Sequence, residues 1–124
     1  MKESLLRTKS KEFSLHVIRV CDEIDGRKGR SVLVNQITRS ATSIGANIYE
    51  ANYASSKADF INKLHISLKE CIETEYWIEM LFGAGAISEE TGKALLLECG
   101  IIHRMLSKSI TTAKNNTEAE NQSC

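Results

Sequence analysis

The chain has 124 residues, of which 42% are hydrophobic and 26% are charged, as is typical of one globular domain. Its 16 basic and 16 acidic residues give a formal net charge of zero, which argues against a dedicated nucleic-acid binder because such proteins are usually basic. Without a signal-peptide core or an apolar run of membrane-spanning length, the sequence predicts a cytoplasmic protein that does not bind membranes.

Apolar residues in the N-terminal half recur at helical spacing. The first stripe predicts a helix over residues 8–24 that ends at the glycines of "DGRKGR", and it comprises Phe13, Val17, Val20 and Ile24. The second predicts a helix over 31–53, and its four-three spacing is that of a bundle seam, with Ile37, Ala41, Ile44, Ile48 and Ala51.

The C-terminal half carries two further helical segments. Ser56 is the expected N-cap of a helix over 56–82, and Asp59 is placed to close a capping box. The seam of this helix is predicted to comprise Ile61, Leu64, Leu68, Cys71, Glu75, Ile78 and Phe82. After "GAGAIS", Ser88 restarts a helix over 88–113, with a seam that includes Ala94, Leu95, Ile101, Ile102, Met105, Leu106 and Ile110.

No segment alternates with period two, so strands are not expected. Four helices with short links favour an all-α fold, an antiparallel up-down-up-down four-helix bundle over residues 1–113. The polar segment 114–124 lacks periodicity, and we expect it to be a flexible tail.

The stretch "RSATSIGANIYEA", residues 39–51, is unusual because small and hydroxylated residues occupy the middle of a helix. Ala41 and Gly45 lie on the inward seam, where their lack of bulk permits close approach of another helix. A neighbouring stripe, suited to hydrogen bonds with another helix or subunit, comprises Ser40, Ser43 and Asn47. Arg39 and Glu50 bracket the segment and are placed to find charge partners across it.

Patterns typical of enzymes and metalloproteins do not occur. The sequence has no G-x-S-x-G elbow and no Walker loop. His16, His65 and His103 lie on different predicted helices, and none follows a glutamate at the spacing of a di-iron site. The four cysteines form no C-x-x-C pair and predict buried thiols in a reducing compartment. We therefore predict no catalytic residue, metal or cofactor.

Two glutamates and an aromatic pair allow alternative interpretations. Glu75 occupies a seam position, so it is either a perturbed acid or base or, as we prefer, a structural group paired with Arg39, Asn47 or another subunit. The same alternatives and preference hold for Glu50. Tyr76 and Trp77 are expected either to cap the core or to anchor a subunit interface.

Basic residues concentrate in the first helix and the following loop. A mild positive patch for phosphates is one interpretation, and a solvated face with interleaved acidic residues is the other. The residues that would contact nucleic acid in the first case are Arg27, Lys28, Arg30 and Arg39.

Residues 36–81, "QITRSATSIGANIYEANYASSKADFINKLHISLKECIETEYWIEML", resemble the small four-helix-bundle proteins of bacteria that are related to those encoded in intervening sequences of 23S rRNA genes. "KSKEFSLHVIRV" is similar to the start of the same family. The family-defining positions would be Arg39, Ser40, Ser43, Gly45, Asn47 and Glu50.

The resemblance implies a left-handed bundle that assembles as a ring, typically a homopentamer, and a family without established catalysis. A similar branch, the accessory proteins of diversity-generating retroelements, binds nucleic acid and a reverse transcriptase through basic surfaces, from which this neutral chain departs. We thus expect a non-catalytic homo-oligomeric scaffold or adaptor. The alternative is an RNA- or DNA-interacting protein associated with rRNA intervening sequences or a reverse transcriptase. An enzyme built on Glu75 or Glu50 would need a partnered acid, base or nucleophile, which the sequence does not offer.

Overall fold

The computed structural model describes the backbone of residues 4–122, and their side chains except those of Lys28 and residues 117–122. This part of the chain contains four helices and no strand, namely α1 (Leu5–Asp22), α2 (Lys28–Ala51), α3 (Lys57–Gly83) and α4 (Glu89–Gln122). The prediction of an all-α four-helix bundle is confirmed. Its handedness and its up-down-up-down order stay predictions.

Serine caps set three of the helix starts. The Ser4 hydroxyl accepts from the backbone N–H of Arg7 at 3.0 Å, which begins α1 before the predicted residue 8. At α3, Ser56 accepts from the N–H of Asp59 at 3.0 Å, as predicted. The Asp59 carboxylate accepts a hydrogen bond from the backbone N–H of Ser55 at 3.1 Å. A standard capping box would use the N–H of the N-cap residue Ser56, so this box is shifted by one residue. Ser88 accepts from the N–H of Thr91 at 3.1 Å before α4.

A glycine turn joins α3 to α4. Gly85 has a φ of 74°, a left-handed conformation that side chains disfavour. The N–H of Ala86 reaches back to the carbonyl oxygen of Leu81 at 2.9 Å, which is the long bond of a Schellman motif. This turn supplies the helix break that was predicted from "GAGAIS".

The C-terminal boundary differs from the prediction. A helix end at residue 113 was expected because apolar periodicity stops there, but α4 is continuous to Gln122. Once a helix is formed, each further residue adds one backbone hydrogen bond, and this segment contains no Gly or Pro to stop it. As far as residue 122, the predicted tail is therefore an extension of α4, and residues 123 and 124 lie outside the described residues.

Each helix packs against two neighbours. The packed pairs are α1 with α2, α2 with α3, α3 with α4 and α1 with α4, and no packing joins α1 to α3 or α2 to α4 within the described residues. All four helices contribute apolar residues to the core, and the five predicted residues of the α2 seam are all buried. The largest fully buried side chains include Phe13, Val17, Ile37, Ile44, Ile78, Leu81, Leu95, Ile102 and Leu106.

The predicted α3 seam needs correction at its end. Phe82 is 47% exposed, whereas the preceding Leu81 is fully buried. Ser67 and Thr74, which no apolar pattern marks, are also fully buried, and Glu75 is only partly buried. In α4, Ala94 is exposed and Cys99 is buried instead. No described helix is both long enough and apolar enough to cross a membrane.

Candidate assembly surface

Buried hydroxyl groups join α2 to α3. The Thr74 hydroxyl lies 2.8 Å from Ser40 Oγ and 2.7 Å from the carbonyl oxygen of Glu70. Two turns earlier on α3, the Ser67 hydroxyl donates to the carbonyl oxygen of Ile44 at 2.8 Å. Because each buried hydroxyl has a partner, these polar groups connect the helices without leaving an unsatisfied donor. Ser40 therefore does bond to another helix, as its stripe predicted.

Ser43 and Asn47 behave differently from Ser40. The Asn47 amide donates to the carbonyl oxygen of Ser43 at 2.9 Å and lies 3.2 Å from its hydroxyl oxygen. Both residues are partly buried. These side chains thus bond to each other along α2, and within the described residues neither bonds to a second helix. Their contact with another subunit stays a prediction.

On its other side, α2 approaches α1 through small residues. The Ser14 hydroxyl lies 3.0 Å from the carbonyl oxygens of both Ser10 and Ala41, which links the two helices. A Cβ placed on Gly45 would lie 3.5 Å from Ser10 Oγ. The close approach predicted at Ala41 and Gly45 is therefore made by α1.

Outside this contact, α1 and α2 form an open apolar groove of about 490 Å³, which we call the α1/α2 groove. Five of its lining residues are small, namely Ser10, Ser14, Thr42, Gly45 and Ala46, and we call them the groove floor. Its larger lining residues are Arg7, Lys11, Leu15, Ile18 and Tyr49. The guanidinium of Arg7 lies 4.5 Å from the centre of the Tyr49 ring, within cation–π distance. The lining thus contains two cations and no acidic residue.

A second apolar feature lies on the outer side of α3. Ile72, Tyr76 and Met80 follow each other at four-residue spacing, so they share one face, and they are 49%, 52% and 39% exposed. We call these three residues the α3 stripe. Trp77 contacts Tyr76 edge-on, with 5.0 Å between ring centres, but it packs partly buried against the core. Its buried indole N–H has no hydrogen-bond partner in the part of the chain that the structure describes. The predicted aromatic pair therefore divides between the surface and the core.

The arginines of the first loop and of α2 are paired with carboxylates. Asp25 lies 2.6 Å from Arg30 Nη1 and 3.6 Å from Arg27 Nε. Arg30 also donates to the carbonyl oxygen of Gly85, in the turn after α3, at 3.2 Å. Arg39 is twelve residues beyond Arg27, about 18 Å along α2. The structure therefore groups Arg27 and Arg30 around Asp25 and places Arg39 apart from them, and the side chain of Lys28 lies outside the described residues.

Charge pairs also bridge α2 and α3. Arg39 Nη1 lies 3.0 Å from Glu70, and Nη2 bonds to Glu73. Desolvation alone would lower the pKa of Arg39, but the hydrogen bonds and charges of Glu73 and Glu70 outweigh it and raise that pKa above its ordinary value. Glu50 lies 3.3 Å from Lys63 Nζ. Both residues that bracket the α2 motif therefore find partners on α3.

Glu75 bonds to α4 and not to the predicted partners Arg39 and Asn47. Its carboxylate lies 3.1 Å from Nδ1 of His103, and both side chains are partly buried. The preferred structural interpretation of Glu75 fits this bridge between α3 and α4. The partner differs because Glu75 lies on the side of α3 that faces α4, whereas Arg39 lies beside α3 residues on the opposite edge.

The histidines do not converge. His16 lies 2.7 Å from Glu98 and bridges α1 to α4, a contact without a recognisable sequence signal. His103 lies with Glu75, and His65 is a partly buried residue of α3. Among the side chains that the structure describes, no three His, Cys, Asp or Glu residues are grouped as metal ligands would be.

Two cysteines meet in the core between α3 and α4. Cys71 and Cys99 are fully buried with their Sγ atoms 3.4 Å apart. The hydrogen bond with Cys71, together with burial, raises the pKa of the Cys99 thiol, which therefore stays protonated. Cys21 is only partly buried and Cys124 lies outside the described residues, so the prediction of buried thiols is confirmed for Cys71 and Cys99.

The fold and these contacts define a small four-helix-bundle protein whose polar side chains largely join its own helices. The chain belongs to the 23S rRNA-intervening sequence protein family, whose model matches residues 2–108. A crystal structure of a protein of unknown function from the S23 ribosomal protein family of Bacteroides thetaiotaomicron is similar, with 40% identity and a TM-score of 0.81. The similarity covers 86% of this chain and 98% of that one. No curated protein matches the sequence.

Proposed function

We propose that this protein is a non-catalytic module that assembles with copies of itself and serves as a scaffold or adaptor. The observation that carries the proposal is the α1/α2 groove, an open apolar surface formed by the α2 motif and by α1. Contiguous exposed apolar surface on a small protein commonly marks an interaction site. The family resemblance suggests a ring of five copies in the bacterial cytoplasm.

The contacts of the ionisable residues support a non-catalytic function. Glu75 is paired with His103 and Glu50 with Lys63, in each case between two helices. A general acid or base needs a partner that it can exchange protons with in a substrate-sized site. These carboxylates instead have the partners expected of structural bridges.

Binding of RNA or DNA is the competing function, and it has weaker support. Arg27, Arg30 and Arg39 each lie beside a carboxylate of the same chain, which reduces the positive potential available to phosphates. A titration of structured RNA over increasing salt tests it. Affinity that is strong at low salt and falls steeply as salt rises would favour nucleic-acid binding over our proposal.

Size-exclusion chromatography with light scattering tests the assembly proposal directly. We expect a mass several times the 13.8 kDa of the monomer at micromolar concentration. Ala46→Arg should reduce that mass because it fills the groove floor from an exposed position. Thr111→Arg, which introduces the same side chain on exposed α4 surface, is the control and should assemble as the unmodified chain does. A strictly monomeric unmodified protein would refute the proposal.

A further inference from the structure

We infer that the α1/α2 groove of one copy receives the α3 stripe of a second copy, so that assembly proceeds head to tail. This inference rests on the proposed function and specifies which surfaces meet. Its starting point is that one chain carries both a concave apolar surface and a convex apolar ridge. The groove is lined by five small residues, which leave room between α1 and α2, and the ridge presents the large exposed apolar side chains of Ile72, Tyr76 and Met80.

The charges beside the two surfaces are complementary. The groove is lined by Arg7 and Lys11 and by no acidic residue. Beside the stripe, Glu79 lies within one turn of Tyr76, and Lys69 lies one turn before Ile72. Glu73, on the other side of Tyr76, is already paired with Arg39 of the same chain, so Glu79 is the acidic residue that flanks the half of the stripe that contains Tyr76 and Met80. Opposite charges at the rim of an interface favour this pairing and disfavour groove-to-groove contact, which would bring the cations together.

The positions of the helices allow both surfaces to be used at once. The groove lies on α1 and α2, and the stripe lies on α3, which does not pack against α1 within the described residues. A molecule whose groove is filled by one neighbour thus keeps its stripe for another. Contacts between two different surfaces generate a closed ring or an open chain, whereas a self-complementary surface stops at a dimer.

Mixing two blocked variants tests the inference. Ala46→Arg blocks the groove and Tyr76→Arg blocks the stripe, both at exposed positions. Each variant alone should be monomeric. In an equimolar mixture, the intact stripe of the first should fill the intact groove of the second, giving a species of twice the monomer mass and nothing larger.

The outcomes separate the inference from the proposed function. A monomeric unmodified protein refutes both. If the unmodified protein is oligomeric, two results refute the inference while leaving the proposed function intact. One is normal assembly of either variant, and the other is the failure of two monomeric variants to combine. Circular dichroism and a cooperative urea transition verify folding of each variant, and Thr42→Arg and Met80→Arg replace any variant that does not fold.

A charge exchange provides a second readout. Lys11→Glu and Glu79→Lys should each reduce the oligomeric fraction at a fixed concentration, and the double variant should recover it. Recovery requires that the two positions face each other across the interface. If the double variant lost as much of the oligomeric fraction as the single variants, the proposed pairing would be overturned.

Discussion

Gly45→Ala separates the packing of α1 against α2 from the use of the groove between them. Gly45 lies in the interior of α2, where glycine destabilises a helix by about 1 kcal/mol relative to alanine. The nearest atoms to an added Cβ would be Ser10 Oγ at 3.5 Å and Ser10 Cβ at 3.8 Å, both ordinary contact distances. Because the methyl group fits without displacing α1, the higher helix propensity of alanine decides whether the substitution stabilises or destabilises the fold.

We therefore expect Gly45→Ala to stabilise the fold by about 0.5–1 kcal/mol, which corresponds to a rise of roughly 3–5 °C in the melting temperature. Urea and thermal unfolding should be measured at one low protein concentration, since assembly makes apparent stability depend on concentration. Gly100→Ala is the matched control, because it is also in a helix interior and its added Cβ would lie 3.5 Å from the Arg104 side chain. Gly100→Ala measures how much the helix propensity of alanine stabilises the protein at a site outside the α1–α2 contact.

The same methyl group would lie on the floor of the α1/α2 groove. If the groove receives another copy, Gly45→Ala should weaken assembly while it stabilises the monomer, and Gly100→Ala should leave assembly unchanged. The reasoning would be refuted if Gly45→Ala had a lower free energy of unfolding than the unmodified chain while Gly100→Ala had a higher one. That result would mean that α1 and α2 need a closer approach than a methyl group allows.

Three further substitutions test individual contacts. Ser67→Ala removes the buried bond to Ile44 and should lower the free energy of unfolding by about 1 kcal/mol in urea, whereas an unchanged value would contradict that bond. Arg39→Gln should lower the free energy of unfolding by less than about 1 kcal/mol, because the guanidinium is half exposed. This decrease should become smaller at high salt, and a decrease that does not depend on salt would contradict a surface ion pair. The raised pKa of Cys99 keeps its thiol protonated in the folded protein. The stabilisation that the Cys99 thiol gives to the fold is therefore complete below the pKa of the thiol in the unfolded chain, about 8.5, and it decreases as the pH rises above that value. The stability difference between the unmodified chain and Cys99→Ala should therefore fall by about 1.4 kcal/mol per pH unit above that value, and a constant difference would contradict the shift.

Helix number, type and approximate position were predictable because they depend on local patterns. The α2 seam repeats apolar residues at four-three spacing, and all five are buried. Ser56 and Asp59 carry a capping signal that involves only neighbouring residues. The end of α4 was not predictable in this way, because the sequence after residue 113 carries no apolar periodicity.

The partners of polar residues were harder to predict, because they depend on which edge of each helix faces which neighbour. Ser67 and Thr74 are buried at positions that a hydrophobic pattern treats as gaps in the α3 seam. Glu75 was singled out because it occupies a seam position, but its partner His103 lies on a helix whose rotation the sequence does not reveal. Residue spacing identifies a stripe along one helix, while the pairing of two stripes requires their relative rotation and register.

The α2 motif illustrates why small and polar residues concentrate in one helix. α2 packs against both α1 and α3, and each face uses a different part of the motif: Ser40 lies toward α3, whereas Gly45 lies toward α1. Thr42 and Ala46 are exposed between these contacts and line the groove. Small side chains at the last two positions are not needed for either internal contact, because larger residues there would extend into solvent. Their size matters if a surface must stay open for another molecule, which is the role that the proposed assembly assigns to them.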